Sequence, residues 1–144
     1  MGAKVDSELF KLFENVRAEV NASAHLVHLG RFCSTELLIQ SGEQSVYLLI
    51  EHGHLIKVLQ GPLLMRAWKF ALRAQPQTWN EFWQPIPAVG FNDIFAMSRN
   101  GRLVIDGDIG PLLGHLRYIK EVVAMPRKIL DMTQINVVAA RARA

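Results

Sequence analysis

The sequence predicts an α+β fold in which a mainly antiparallel sheet of about five strands is covered by helices and leaves an apolar tunnel or pocket. Three observations lead there. Apolar residues recur at steps of three and four near both ends of the chain, they alternate or run continuously in short stretches between, and glycine-containing turns separate those stretches.

The first helix is expected from Asp6 to Asn21. Asp6 and Ser7 are capping residue types, and Leu9, Phe10, Leu12, Phe13, Val16 and Val20 form a stripe with Lys11, Glu14, Arg17 and Glu19 mostly opposite. From Arg31 the period changes to two. Thr35 to Gln40, Ser45 to Glu51 and Leu55 to Gln60 are separated by Ser41-Gly42-Glu43 and His52-Gly53-His54, the signature of an antiparallel meander. Trp68 to Ala74 alternates again, with Trp68, Phe70 and Leu72 on one side and Lys69 and Arg73 on the other, and reads as a half-buried strand near a sheet edge.

Pro76 ends that strand, and Thr78-Trp79-Asn80-Glu81 has the form of a capping box that starts a short helix carrying Trp79, Phe82 and Trp83 until Pro85 and Pro87 stop it. A second short helix is expected from Asn92 or Asp93 through Ile94, Phe95 and Met97, closing on a left-handed residue at Asn100-Gly101. Arg102 to Asp106 is the last strand. Asp108 or Gly110 then caps a helix with Pro111 in its first turn and Leu112, Leu116, Ile119 and Val123 as its stripe, running to Ala124 and stopped by Pro126. The chain is read as one domain, 1–144, with a core of about 31–124 and a C-terminal arm of about 127–144.

Leu37-Leu38-Ile39 and Val46-Tyr47-Leu48-Leu49-Ile50 are apolar on both faces of their strands, so both faces must be shielded from water. The two long helices can cover one face, which leaves the short aromatic helices and their loops for the rest. Either these residues fill a tight core or they border a ligand pocket, whose lining is then expected from Leu48, Ile50, Trp79, Phe82, Trp83 and Phe95.

Composition narrows the function classes. Half of the 144 residues are apolar and a fifth are charged, and the net charge of +3 comes from scattered basic residues, which argues against a nucleic-acid partner. The two arginines of the Ala140 to Ala144 tail allow at most transient contact with an anionic membrane. Cys33 is alone, so no intrachain disulfide forms and a reducing compartment fits. Residues 1–10 lack a basic segment followed by an apolar core, and no stretch approaches the roughly 18 apolar residues of a membrane span, so a cytoplasmic location is expected.

Catalytic and metal chemistry finds little support. Glu51, His52 and His54 sit at a hairpin tip, and His25 and His28 share a helical face without a third ligand at useful spacing, so no metal and no other cofactor is expected. Asp93, Asp106 and Asp108 are the acids nearest apolar segments and the candidates for a general base, although Asp93 and Asp108 also stand at helix starts. Cys33 lacks a basic neighbour and reads as an inert thiol. Phosphate loop, nucleophile elbow and dinucleotide fingerprint are absent.

The order of an N-terminal helix, a three-stranded meander, a crossover, a fourth strand with a short helix, and Gly101-Arg102-Leu103-Val104-Ile105-Asp106-Gly107-Asp108 feeding a terminal helix resembles the sterol carrier protein lipid-transfer domain over roughly Arg31 to Ala124. The resemblance implies a five-stranded sheet, a hydrophobic tunnel for sterol, fatty acid, acyl-CoA or another lipid, and no catalytic residue set. Similar domains are also appended to enzymes, where they shape an apolar environment or support oligomerisation. The aromatic-rich Trp79 to Phe95 region and a C-terminus without a peroxisomal signal depart from the pattern. The leading expectation is therefore non-catalytic binding or transfer of a hydrophobic ligand. The alternatives are an accessory subunit docking on a partner enzyme or forming a homo-oligomer, and a small isomerase or hydrolase using a pocket aspartate.

Overall fold

The computed structural model describes residues 7–63 and 65–143, and the side chains of 7–63 and 65–131. The first apolar stripe folds as α1 (Glu8–Ala22), with Ser7 at its N-cap accepting from Phe10 N at 3.1 Å. Ser7 N donates to Gln60 Oε1 at 2.9 Å and Leu9 N to Gln44 Oε1 at 3.0 Å, so amides that a helix start leaves unpaired are tied to the sheet. Asp6 lies outside the described residues. A short α2 (Ala24–Leu29) follows, capped by Ser23 and carrying His25 and His28.

The meander forms as expected from β1 (Thr35–Ser41), β2 (Gln44–Glu51) and β3 (His54–Gln60). The β2–β3 turn places both His52 and Gly53 at positive φ, the conformation that a tight hairpin between right-twisted strands requires. A bulge between Leu49 and Ile50 shifts the β2–β3 register. On β3, the backbone N–H and C=O of Leu55 are both bonded by the Asn21 side chain, at 2.9 and 3.0 Å.

Two further strands, β4 (Phe70–Ala74) and β5 (Leu103–Gly107), complete a five-stranded sheet in the order β3-β2-β1-β4-β5. The sheet is mixed: β1 and β4 run parallel, with Leu37 opposite Phe70, and the other pairs are antiparallel. One expectation fails here. Trp68 precedes the strand and packs on the opposite face from Phe70 and Leu72, and Phe70, Ala71 and Leu72 are all buried, so β4 is covered on both sides rather than half-buried.

The helices also depart from the sequence reading in instructive ways. Pro76 opens α3 (Pro76–Phe82), its fixed φ suiting the first helical position, and Thr78 is buried inside the helix instead of capping it. The short α4 (Ile94–Arg99) ends as expected, with Gly101 at φ 75°. The terminal helix is interrupted: α5 (Gly110–Gly114) stops at Gly114 and His115, and α6 (Leu116–Arg143) then continues past Pro126. Pro126 thus lies inside a helix that it was expected to stop. Side chains of the arm beyond Asp131, including the basic tail, lie outside the described residues.

One apolar cluster fills the space between the sheet and the helices. It joins Leu9, Phe13 and Val16 of α1, residues from one face of every strand, the aromatic residues around α3, and Tyr118, Ile119, Val122 and Val123 of α6. The aromatic helix therefore shares a face with the two long helices, contrary to the sequence reading, which assigned it to the other face. That second face is shielded by the connection between β3 and β4, where Leu63 and Trp68 lie over Leu38, Tyr47 and Ala71. Tyr47 Oη and the Leu63 backbone exchange hydrogen bonds of 3.3 and 3.4 Å that hold the connection down. Among the described residues no helix is long and apolar enough to cross a membrane.

Candidate functional site

The aromatic residues of α3 are positioned from three directions. Trp79 is fully buried and its indole N–H donates to the Gln40 carbonyl of β1 at 2.8 Å. Trp83, just after the helix, donates to the Val123 carbonyl of α6 at 3.0 Å. The two indoles stack with centroids 5.2 Å apart, Phe82 meets Trp79 edge-on at 6.0 Å, and Phe13 of α1 meets Trp83 edge-on at 6.1 Å. Each buried indole thus has its one donor satisfied while its rings contribute apolar area, the arrangement in which tryptophan burial is favourable.

All six residues expected to line a pocket fall in or against this cluster. Leu48, Ile50, Trp79, Phe82 and Trp83 are buried members, and Phe95 of α4 packs on it half-buried with the Lys120 ammonium 5.2 Å from its ring centroid. Beside Trp83 a groove of about 450 Å³ runs between α1, the β1–β2 turn, α3 and α6, bordered by Leu9, Leu12, Pro76, Asn80 and Leu130. Ile50 borders a separate notch of about 350 Å³ at the start of β1. The sequence offered Leu9 and Leu12 as part of a helical stripe but gave no reason to connect them with Trp83. Leu130 was hidden by the reading of Pro126 as a stop.

The groove holds few charges, Glu8 and Lys11 among them. The acids considered as bases are committed elsewhere. Asp106 Oδ2 accepts from Arg73 Nε at 2.8 Å, Asp93 Oδ1 lies 3.1 Å from Lys120 Nζ, and Asp108 Oδ1 accepts from Gly110 N at 2.9 Å. Each of these carboxylates has a partner on the protein, and none of the three borders the groove beside Trp83.

The histidines do not converge. His52 and His54 are exposed at the β2–β3 turn and His25 and His28 are exposed on α2. Among the described residues no group of three or more metal-ligating side chains comes together. Cys33 is buried, and loss of hydration pushes its thiol up to about 11, while burial and then the neighbouring Cys33 raise the Tyr118 hydroxyl. Tyr118 Oη donates to the Gly53 carbonyl at 2.6 Å, a structural bond between α6 and the hairpin turn.

Comparison with known proteins gives a consistent picture at the level of fold. No protein-family model matches the chain. No curated protein matches it by sequence. Among solved structures, a sterol carrier protein 2 crystal structure superposes with a TM-score of 0.65 at 19% identity, covering 83% of this chain and 98% of that one. A conserved hypothetical protein from Thermus thermophilus gives 0.56 at 15% identity over 87% and 91% of the two chains. A UbiJ-SCP2 ubiquinone synthesis protein gives 0.54 at 12% over 81% and 92%. A five-stranded sheet in this order with its helices on one face, shared with these structures over most of their lengths, means that the chain has the sterol carrier protein 2 fold.

Proposed function

We propose that this protein binds a hydrophobic ligand, such as a fatty acid, acyl-CoA, sterol or similar lipid, between the helix-covered face of the sheet and the aromatic residues of α3, without catalysing a reaction on it. The observation that carries this reading is the groove beside Trp83, with Leu9, Leu12 and Leu130 at its rim and the buried aromatic cluster behind it. Of the six lining residues expected from the sequence, Trp83 borders this groove, and Leu48, Ile50, Trp79, Phe82 and Phe95 are the ones a chain would touch only by displacing core packing behind it. The driving force is burial: each methylene removed from water contributes about 0.8 kcal/mol, so a chain of roughly ten methylenes offsets a large entropic cost of association. The ligand is carried in the cytoplasm on this reading, with residues 1–144 acting as one unit.

Delipidated protein should respond to long-chain acyl ligands with a change in tryptophan emission and a rise in Tm, because ligand binds the folded state alone. Both responses should grow with chain length. Unchanged emission and Tm with acyl chains of several lengths, acyl-CoA and sterols would remove this reading.

A second reading, docking on a partner enzyme, is favoured by one feature. Ile86 and Val89 in the segment after α3 are 91% and 100% exposed, an arrangement that costs solvation and suits an interface. The similarity to a protein described as a ubiquinone synthesis protein is compatible with such a role. Co-purification of a partner that is lost on Ile86→Ser/Val89→Ser substitution would move this reading ahead.

A further inference from the structure

We propose that β5 is a self-association edge, through which two copies of this chain pair antiparallel about a two-fold axis at Val104 and join their sheets edge to edge. The order β3-β2-β1-β4-β5 leaves two outer edges, and the fold treats them differently. Along β3 lies α1, whose Asn21 side chain bonds both the N–H and the C=O of Leu55. Nothing comparable covers β5. Among the described residues no hydrogen bond reaches the main chain of Leu103 or Ile105 from outside the sheet. Edge strands are usually blunted by a lysine, a proline or a bulge. Apart from being short, β5 has none of these, and its middle residue, Val104, is 53% exposed.

Pairing within the sheet fixes which backbone groups point outward. Gly42 N donates to the Ala74 carbonyl, so the main-chain groups of Ala74 face β1. Leu103, opposite Ala74 on β5, therefore turns its own N–H and C=O away from β4, and Ile105, two residues on, does the same. A second β5 run antiparallel with Val104 at the axis sets Leu103 opposite Ile105 of the other copy. These outward groups then exchange hydrogen bonds on both sides of the axis.

Charge selects the partner and the register. Val104 and Asp106 share the sheet face of Arg73, which is opposite Val104 and donates from Nε to Asp106 Oδ2 at 2.8 Å. Arg102 borders the same surface notch as Arg73 and Val104. Its guanidinium lies 5.6 Å from the Phe91 ring centroid, a weak contact at an exposed site, and it has no acidic partner among the described residues. In the Val104-centred pair Arg102 of each copy stands opposite Asp106 of the other, and Val104 meets Val104. Two opposite-charge pairs thus flank an apolar contact, so the edge is complementary to itself. With Ile105 at the axis instead, Val104 would face a carboxylate. The strand is small beside the roughly 1,200–2,000 Å² that a stable dimer buries. Antiparallel pairing extends the contact by bringing the α4 end of one β5 to the α5 end of the other, where Ile109 and Leu113 are exposed.

No residue lining the groove beside Trp83 belongs to α4, β5 or α5, so this inference stands apart from the lipid-binding reading. Sedimentation of the full-length, delipidated protein should show a monomer–dimer equilibrium that follows concentration. Arg102→Glu opposes like charges on both sides of the axis and should weaken the dimer about ten-fold, and Val104→Lys at least as much. Both positions are exposed, so the circular dichroism spectrum of either variant should be that of the parent. Val104→Cys should form a disulfide-linked dimer on mild oxidation, because facing residues at such an axis are close enough for that bond. The parent, with only the buried Cys33, and Ile109→Cys, exposed but off the axis, should not cross-link. Amide exchange at Leu103 and Ile105 should slow as protein concentration rises. A monomer at every concentration, a dimer unaffected by Arg102→Glu, a Val104→Cys variant that does not cross-link, or exchange at Leu103 and Ile105 independent of concentration would overturn the proposal.

Discussion

Arg127 of α6 clasps the last residue of α3: its Nε and Nη2 donate to the Phe82 carbonyl at 3.0 and 2.6 Å, and its guanidinium lies 4.9 Å from the centroid of the same residue's ring. The Phe82 carbonyl is at a helix C-terminus, where no following turn supplies a donor and a cation is favourably placed. Trp83 reaches the other way, to the Val123 carbonyl of α6, so α3 and α6 hold each other by complementary bonds one helical turn apart. Arg127→Ala should cost about 1.5–3 kcal/mol, the range for a hydrogen bond from a charged group. Urea denaturation followed by tryptophan emission will show it. Arg127→Lys, with one point donor in place of a planar fork, should restore only part of the loss.

Gly30 makes room for Tyr118. A Cβ at Gly30 would stand 2.5 Å from the Cδ1 and Cε1 atoms of the Tyr118 ring, whose hydroxyl is bonded to the Gly53 carbonyl and cannot swing away without breaking that bond. Gly30→Ala should therefore destabilise by about 1–3 kcal/mol through overpacking. Tyr118→Phe should cost less, about 1 kcal/mol for one neutral hydrogen bond. Reversal of that order in thermal unfolding would show that the ring is free to relax.

Burial of Cys33 gives a pH signature. Its thiol is raised from 9.0 to about 11 by desolvation, so the folded state holds this proton more tightly than the unfolded chain does. The resulting stability is fully present below pH 9 and is lost as pH rises from about 9 toward about 11, with Tyr118 shifted in the same direction. At pH 8 a thiol with this pKa is about 0.1% thiolate. Iodoacetamide should thus leave the native protein unmodified under conditions that alkylate the urea-unfolded chain.

The parts of this fold legible in the sequence are those specified locally. Gly42 and His52-Gly53 mark two tight turns between apolar runs, and Gly101 at φ 75° closes α4 where the asparagine-glycine pair predicted it. What escaped the sequence depends on distant partners. The parallel pairing of β1 with β4 is set by packing across a crossover, and the alternation of Trp68 with Phe70 continued past the point where strand geometry begins. Pro126 has no N–H for the Val122 carbonyl, an ordinary helix stop, but it is buried in an element held on either side of it by bonds to Trp83 and Phe82.

The candidate site divides in the same way. Trp79, Phe82 and Trp83 stand out because three large rings within five residues of sequence cannot all avoid the core. The opposite wall of the groove comes from Leu12 and Leu130, 118 positions apart in sequence numbering, and no local pattern joins them. The commitments of Asp93 to Lys120 and Asp106 to Arg73 are equally nonlocal. They matter for function because they leave the sequence's candidate bases paired.

Those long-range walls allow a test of ligand binding that spares the core. Phe82 is 3% exposed, so Phe82→Glu places a carboxylate where a ligand chain would lie but also inside the folded interior, and an intact circular dichroism spectrum is needed before its loss of binding is informative. Leu12 is half-buried on the groove rim, where a carboxylate keeps access to water and the fold should tolerate it. Leu12→Glu should leave Tm of the delipidated protein within a few degrees of the parent while weakening a C16 acyl ligand about ten-fold, through lost apolar contact and repulsion of the ligand's path. Leu12→Met, similar in volume and still apolar, should bind as the parent does. Equal binding by Leu12→Glu and Leu12→Met would mean that an acyl chain does not enter beside Trp83.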